Sequence, residues 1–472
     1  MASRSAEIGV MAERSGRART LPRSPLDART PQVTSRLAGR AWAVVLMALY
    51  PLLILAPLVI FTLLDRSSDH SRIELVGIDC GVVGFAILAL QFVITGRFRW
   101  VEAPFGLDVL LVFHRVMALI ATAALLVHPV LIAWGEGWPL LTGVRVHWYI
   151  WVGRAALAVL LAQVLASLSR RVVRLSYERW RRVHNVFAPT ILALGFLHGL
   201  KSGDDVHGAG LLVLGGMVAL ALGCWLYALV VRPRLLLRRS LQVVAVQSEV
   251  PKVWTVTLRA SHGRTLRFAP GQFLYLRLLG LQLPAEEHPF SIASSPSQPE
   301  LIRVTIKESG DFTAGISRVR AGDRATVHGP FGRFSHVLHP GEGRLVLVAA
   351  GVGITPIMSM LRHMRDRRER RSVLLVYANR SPADIVFSHE LEAIQEGGFP
   401  DLSLIHVLSD APASWVGATG RLDAERLVRL CGGVDGQAFY LCCPAAMTAS
   451  LIRGLRQRGV DPRRIHTDQF SL

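Results

Sequence analysis

The chain has 472 residues, with 53 Lys and Arg against 34 Asp and Glu and a formal net charge of +19. Charged residues are only 18% of it, hydrophobic residues 51%, and the mean hydropathy is +0.38, which argues against a nucleic-acid binder and for a membrane protein. Five cysteines with no C-x-x-C pair rule out a disulfide scaffold and argue against a zinc ribbon or a cysteine-ligated iron–sulfur cluster.

Residues 1–38 are rich in Arg, Ser and Pro and read as a disordered basic tail leaning on anionic lipid. Six long apolar runs follow, at 41–64, 75–96, 107–133, 148–168, 183–200 and 209–231. Most exceed the roughly 20 residues that a helix needs to cross a bilayer. The first begins too late and is too long for an ordinary cleaved signal peptide. Arg-rich segments alternate along the chain. The first 40 residues hold eight Arg, the second loop has Arg97 and Arg99, the fourth has Arg170 to Arg182, and Arg232 to Arg239 follow the last run. All fall on one side, so both termini and everything beyond residue 236 are expected in the cytoplasm, with the chain in the cell membrane.

The third run holds His114 and His128, and the fifth holds His184 and His198. Both spacings are 14 residues, about 40° short of four helical turns, so each pair shares a helix face with its members about 21 Å apart. Both helices run in the same direction. His114 and His184 then share the inner level, and His128 and His198 the outer level. Neutral imidazoles facing each other at two levels suit two stacked six-coordinate haems, and intramembrane histidines are costly residues that are usually functional. Arg115, Arg181 and Arg182 stand where inner propionates need cations.

Beyond residue 240 the pattern changes to short alternating segments and Gly/Pro turns. Residues 241–340 read as a small antiparallel barrel with strands near Gln242–Val246, Trp254–Arg259 and Phe273–Leu278. His288, Pro289, Phe290 and Ser291 form a Pro–aromatic–hydroxyl edge suited to a flavin. Lys307, Gly310 and Thr313 offer a cation, a backbone N–H and a hydroxyl to a pyrophosphate. The run 345–350 then reads as a buried strand ending in Gly351, Gly353, Thr355 and Pro356 before a helix, a phosphate-binding arrangement. Arg380 ends the second strand of this half, where a ribose 2′-substituent would lie, and no acidic residue ends it, which favours NADPH over NADH. Cys442 ends a later strand and can face a nicotinamide. Phe470, near the terminus, can cover a flavin face.

With these motifs in order, the chain resembles the NADPH oxidase and ferric reductase superfamily over about residues 41–472. HPFS at 288–291, GDFT at 310–313, GPFG at 329–332, GVGITP at 351–356 and the paired His-x13-His helices carry the resemblance. It implies a six-helix transmembrane α bundle (39–235) followed by a ferredoxin-reductase-like module. That module is an antiparallel β-barrel FAD domain (236–342) and an α/β NAD(P)H-binding domain (343–472). It implies that His114 with His184, and His128 with His198, ligate two b-type haems. His288 to Ser291, Lys307 and Thr313 would hold FAD, and Gly351 to Pro356, Arg380 and Cys442 would hold NADPH. Two departures stand out: Cys443 replaces the usual Gly of Cys-Gly-Pro, and two residues follow Phe470. The expected activity passes electrons from NADPH through FAD and both haems to an extracytoplasmic small molecule, oxygen giving superoxide or chelated ferric iron. A non-enzymatic membrane subunit is the alternative. No calcium loop or Pro-rich segment appears, so activity without an obligatory protein partner is expected.

Overall fold

The structure, a computed structural model, describes residues 36–65, 70–170, 172, 177–202, 208–260, 265–279, 286–310 and 312–468. The N-terminal tail to residue 35, Asp311 of the GDFT turn and Phe470 lie outside the described residues.

Six helices are long and apolar enough to cross a membrane. They are α1 (Arg36–Ile60), α2 (Arg72–Thr95), α3 (Leu107–Glu136), α4 (Trp148–Ser169), α5 (Tyr177–Ser202) and α6 (Gly208–Leu226), the last continuing helically to Arg238. Ser71 starts α2 with a capping box: its hydroxyl accepts from the Glu74 N–H, and the Glu74 carboxylate accepts from the Ser71 N–H. Leu52, Trp134, Leu165 and Leu212 are exposed on the outside of the bundle, as lipid-facing side chains are. Two boundaries differ from the sequence expectation. Helix α5 begins at Tyr177, so Arg179, Arg181 and Arg182 sit on its first turns rather than in a loop. Arg232, Arg234 and Arg238 likewise lie on a short helix that extends α6. Hydropathy marks only the part of a helix that faces hydrocarbon; its charged turns continue the hydrogen bonding into the interface.

The next six strands form an antiparallel sheet: β1 (Leu241–Val250), β2 (Val253–Ala260), β3 (Phe273–Leu279), β4 (His288–Ser291), β5 (Leu301–Lys307) and β6 (Arg324–Phe331). Their order is β4-β3-β6-β1-β2-β5, and a bridge between Ile292 and Val304 closes it into a barrel. Val243, Leu258, Leu274, Leu276, Ile302 and Val304 fill its interior.

The final unit is a parallel sheet of β7 (Arg344–Ala350), β8 (Ser372–Asn379), β9 (Asp401–Leu408), β10 (Ala418–Thr419), β11 (Gln437–Cys442) and β12 (Ile465–Thr467), ordered β10-β9-β8-β7-β11-β12. Helices α7 (Ile354–Asp366), α8 (Ser388–Gly397), α9 (Ala424–Cys431) and α10 (Ala445–Gln457) cover it. Along β7, Leu345, Leu347 and Ala349 enter one core layer, while Val346 and Val348 enter the other. Burial on both faces explains the unbroken apolar run. The order reverses between β7 and β11, and the crevice at their carboxyl ends is where such sheets bind ligands.

The barrel docks on the end of the membrane bundle nearer His114 than His128. Leu111 of α3, three residues before His114, packs against Tyr275 and Phe331 of the barrel. Arg97 lies 4.1 Å over the Tyr275 ring, and Arg333 donates to the Pro104 carbonyl.

Candidate functional site

Helix α3 packs on α2, and α5 on α4. The two histidine-bearing helices face each other through their rings. The centroids of His114 and His184 are 6.2 Å apart with planes at 77°, and those of His128 and His198 are 6.3 Å apart at 74°. Two imidazoles on opposite sides of one metal, with bonds of about 2 Å, have ring centroids roughly 6.3 Å apart. The residues therefore fit two bis-histidine haems. Three of the four rings are oriented through Nδ1. His114 meets Gln91 Oε1 at 3.0 Å, His128 the Gly77 carbonyl at 2.8 Å and His198 the Tyr149 carbonyl at 2.9 Å. A partner on Nδ1 puts the proton there and leaves Nε2 free to ligate. The His184 Nδ1 is buried without a hydrogen-bond partner among the described residues, and its ring leans on Trp180 at 5.1 Å.

The sequence reading missed this supporting layer. Gln91 also donates to the Tyr50 hydroxyl and so ties α1 to the His114–His184 pair. Two glycines admit the rings of the other pair: a Cβ on Gly81 would stand 2.9 Å from His128 Nδ1, and one on Gly153 would stand 2.8 Å from His198 Nδ1. Nothing in the local sequence separates these glycines from others in the bundle. Arg154, next to Gly153, donates to the carbonyls of Leu140 and Gly143 at 2.8 Å each, tying the 137–147 connection to α4.

On the barrel, His288, Pro289 and Phe290 are half-buried along edge strand β4. The His288 ring lies 4.2 Å from that of Phe312 and its Nε2 3.1 Å from Glu286. The Ser291 hydroxyl is buried without a hydrogen-bond partner among the described residues, an orphan that a bound flavin's polar chain would satisfy. Lys307 is exposed at the end of β5. The Thr313 hydroxyl is engaged in its own turn, accepting from the N–H groups of Ser309 and Gly310 at 2.8 and 2.9 Å.

At the sheet's switch point, Gly351 adopts φ +53° and Gly353 approaches the end of β11 so closely that a Cβ would collide with the Cys442 carbonyl. The Tyr377 hydroxyl donates to the Gly351 carbonyl at 3.0 Å and accepts from the Val386 N–H, pinning the loop, another contact the sequence did not reveal. Thr355 donates to the Val352 carbonyl at 2.7 Å, so its hydroxyl is spent on the turn. Pro356 is buried in the first turn of α7. Arg380 is 80% exposed beyond β8, with Asp410 at 3.6 Å. Cys442 is buried, and burial, then Asp468 and Cys443, push its thiol well above the usual range, so it is a neutral packing group rather than a thiolate.

Residues 80–195 match the ferric reductase like transmembrane component, 239–332 the FAD-binding domain and 347–452 the oxidoreductase NAD-binding domain. The chain is 28% identical over 241 residues to the glycine betaine monooxygenase reductase subunit of Chromohalobacter salexigens, covering 50% of this chain and 64% of that one. It is 29% identical over 201 residues to sulfhydrogenase 1 subunit gamma of Pyrococcus furiosus, covering 42% and 66%. Among solved structures, the Amycolatopsis cytochrome P450 reductase GcoB is 27% identical with a TM-score of 0.45, over 50% of this chain and 70% of that one. The chain therefore joins a ferric-reductase-like transmembrane component, on a multi-pass set of apolar helices, to an FAD-binding domain and an oxidoreductase NAD-binding domain, an NADPH oxidase/ferric reductase-like architecture.

Proposed function

We propose that this chain carries electrons from cytoplasmic NADPH, through FAD and two b-type haems, across the cell membrane to molecular oxygen, releasing superoxide on the far side. The observation that carries the reading is the pair of facing histidines at each of two levels, with centroids 6.2 and 6.3 Å apart. Bound haem and flavin supply the electron chemistry. His114 and His184 would hold the inner haem, and His128 and His198 the outer one. His288 to Ser291, with Lys307 and the Gly310–Thr313 turn, would hold FAD. The Gly351–Pro356 loop and the amino end of α7 would take the dinucleotide phosphates, with Arg380 at the ribose. Leu111 links the barrel to the helix turn before His114, so the flavin strand adjoins the inner level.

Arg154 ties the 137–147 connection to α4 one residue from Gly153, which packs on the His198 ring, and a connection held there suits a small acceptor better than a bulky iron chelate. The test is NADPH-driven cytochrome c reduction by the purified, FAD-supplied protein in air. Superoxide dismutase should abolish most of it. Reduction that ignores the dismutase, with faster turnover on chelated ferric iron, would replace the oxidase reading with a metal-reductase one.

A further inference from the structure

Behind the nucleotide unit lies a cluster of ligand-type side chains that the electron path does not use. His336 sits in the connection between β6 and β7, is 1% exposed, and has no hydrogen-bond partner on either ring nitrogen among the described residues. His363, near the carboxyl end of α7, is 9% exposed, and its Nδ1 is buried without a partner. Their ring centroids are 5.8 Å apart. Glu369 follows α7 in a turn fixed by its N–H donating to the Met364 carbonyl at 2.9 Å. One ligand atom from each of the three residues lies within 4.8 Å of the others.

Burying imidazole nitrogens without partners is unfavourable, and a metal ion is one way to satisfy them. Neutral imidazole is the metal-binding form. Two imidazoles and one carboxylate are a zinc donor set that leaves a fourth position for water, and bonds of about 2.0–2.2 Å need only a modest closing of the three side chains. A second cluster, His339, Glu342 and His466, is already satisfied internally, since Glu342 accepts from Tyr440 and meets His466, each at 2.7 Å.

We propose that His336, His363 and Glu369 bind one zinc ion that clamps the interdomain connection to the carboxyl end of α7. The site stands apart from the nucleotide loop. His363 lies ten residues beyond Gly353, about 15 Å along the helix from the nucleotide loop. Arg371 faces the same cluster and opposes a dication, so it limits the affinity.

The experiment uses the full chain in detergent, loaded with FAD, stripped by a chelator and re-equilibrated with zinc. Metal content and zinc-edge X-ray absorption are read. One zinc per chain is expected, with a nitrogen and oxygen shell showing imidazole scattering and no sulfur. His363→Gln and Glu369→Gln should each weaken binding by roughly tenfold or more, while Arg371→Gln tightens it. His466→Gln should leave it unchanged. Glu369 is half-buried on a turn, so its variant keeps the test open if the histidine variants fail to fold. No bound zinc, a sulfur-containing shell, or zinc lost only with His466→Gln would overturn the proposal.

Discussion

Arg232, on the helical extension of the last membrane helix, makes a two-point ion pair with Glu287, the residue just before the His288–Ser291 strand. Its Nη1 and Nη2 lie 3.2 and 2.9 Å from the two carboxylate oxygens. Both side chains are largely buried, at 8% and 12% exposed. The pair is therefore a rigid joint between the membrane bundle and the flavin motif. Losing one partner of a buried pair costs about 3–5 kcal/mol, because the other charge stays buried and uncompensated. Glu287→Ala should slow electron transfer from FAD to the inner haem by roughly tenfold to a hundredfold, since small misplacements carry penalties of that size. Reduction of FAD by NADPH should change little. Stopped-flow absorbance separates the two steps, and equal slowing of both would remove the joint from the account.

The same pair sets a pH dependence. Burial alone would raise the Glu287 carboxyl, but the Arg232 hydrogen bonds and charge, with Arg97 and His328 nearby, outweigh it and hold the carboxyl below its ordinary 4.5. A lowered folded value means that the stabilisation is complete above 4.5 and is lost as pH falls through the folded value. The melting-temperature gap between the native chain and Glu287→Gln should stay constant from about pH 8 to pH 5 and shrink in more acidic buffer. A gap that shrinks between pH 6 and 8 would point to another group.

His128→Leu or His198→Leu should halve the haem content while leaving NADPH-driven FAD reduction intact, as pyridine haemochrome and stopped-flow assays would show. Unchanged haem content in both variants would refute the ligand assignment.

Gly81→Val and Gly153→Val test the supporting layer without touching a ligand. Each new side chain would press on the ring of His128 or His198, where even a Cβ stands within 3 Å of Nδ1. Both should lower the occupancy of the outer haem selectively. Equal loss of both haems would indicate a general folding defect instead.

Arg380→Ser should raise the KM for NADPH by roughly tenfold, the scale of one lost charge-assisted hydrogen bond, and leave NADH nearly unaffected. Parallel loss with both cofactors would place Arg380 away from the 2′-phosphate.

The sequence by itself determined the division into a lipid-facing and a water-soluble half, because the hydropathy of a bilayer span needs no tertiary contact to be read. It also determined that His114 and His128, and His184 and His198, share helix faces, because helical pitch alone sets that angle. The order of Gly-rich turns after β7 marked the nucleotide crevice for a similar reason: a strand, a tight turn and a helix start are local. Tertiary structure decided which rings meet across the bundle, since side-chain separation between two helices depends on how both pack against α2 and α4. It alone brought Gln91 to His114, Gly153 to His198, Arg232 to Glu287 and Tyr377 to Gly351. Each of these contacts joins residues too far apart in the chain for any local pattern to link them. Packing also decided the surroundings of Cys442, which its position at a strand end marks as able to face a nicotinamide and which the fold buries against Gly353 at the switch point.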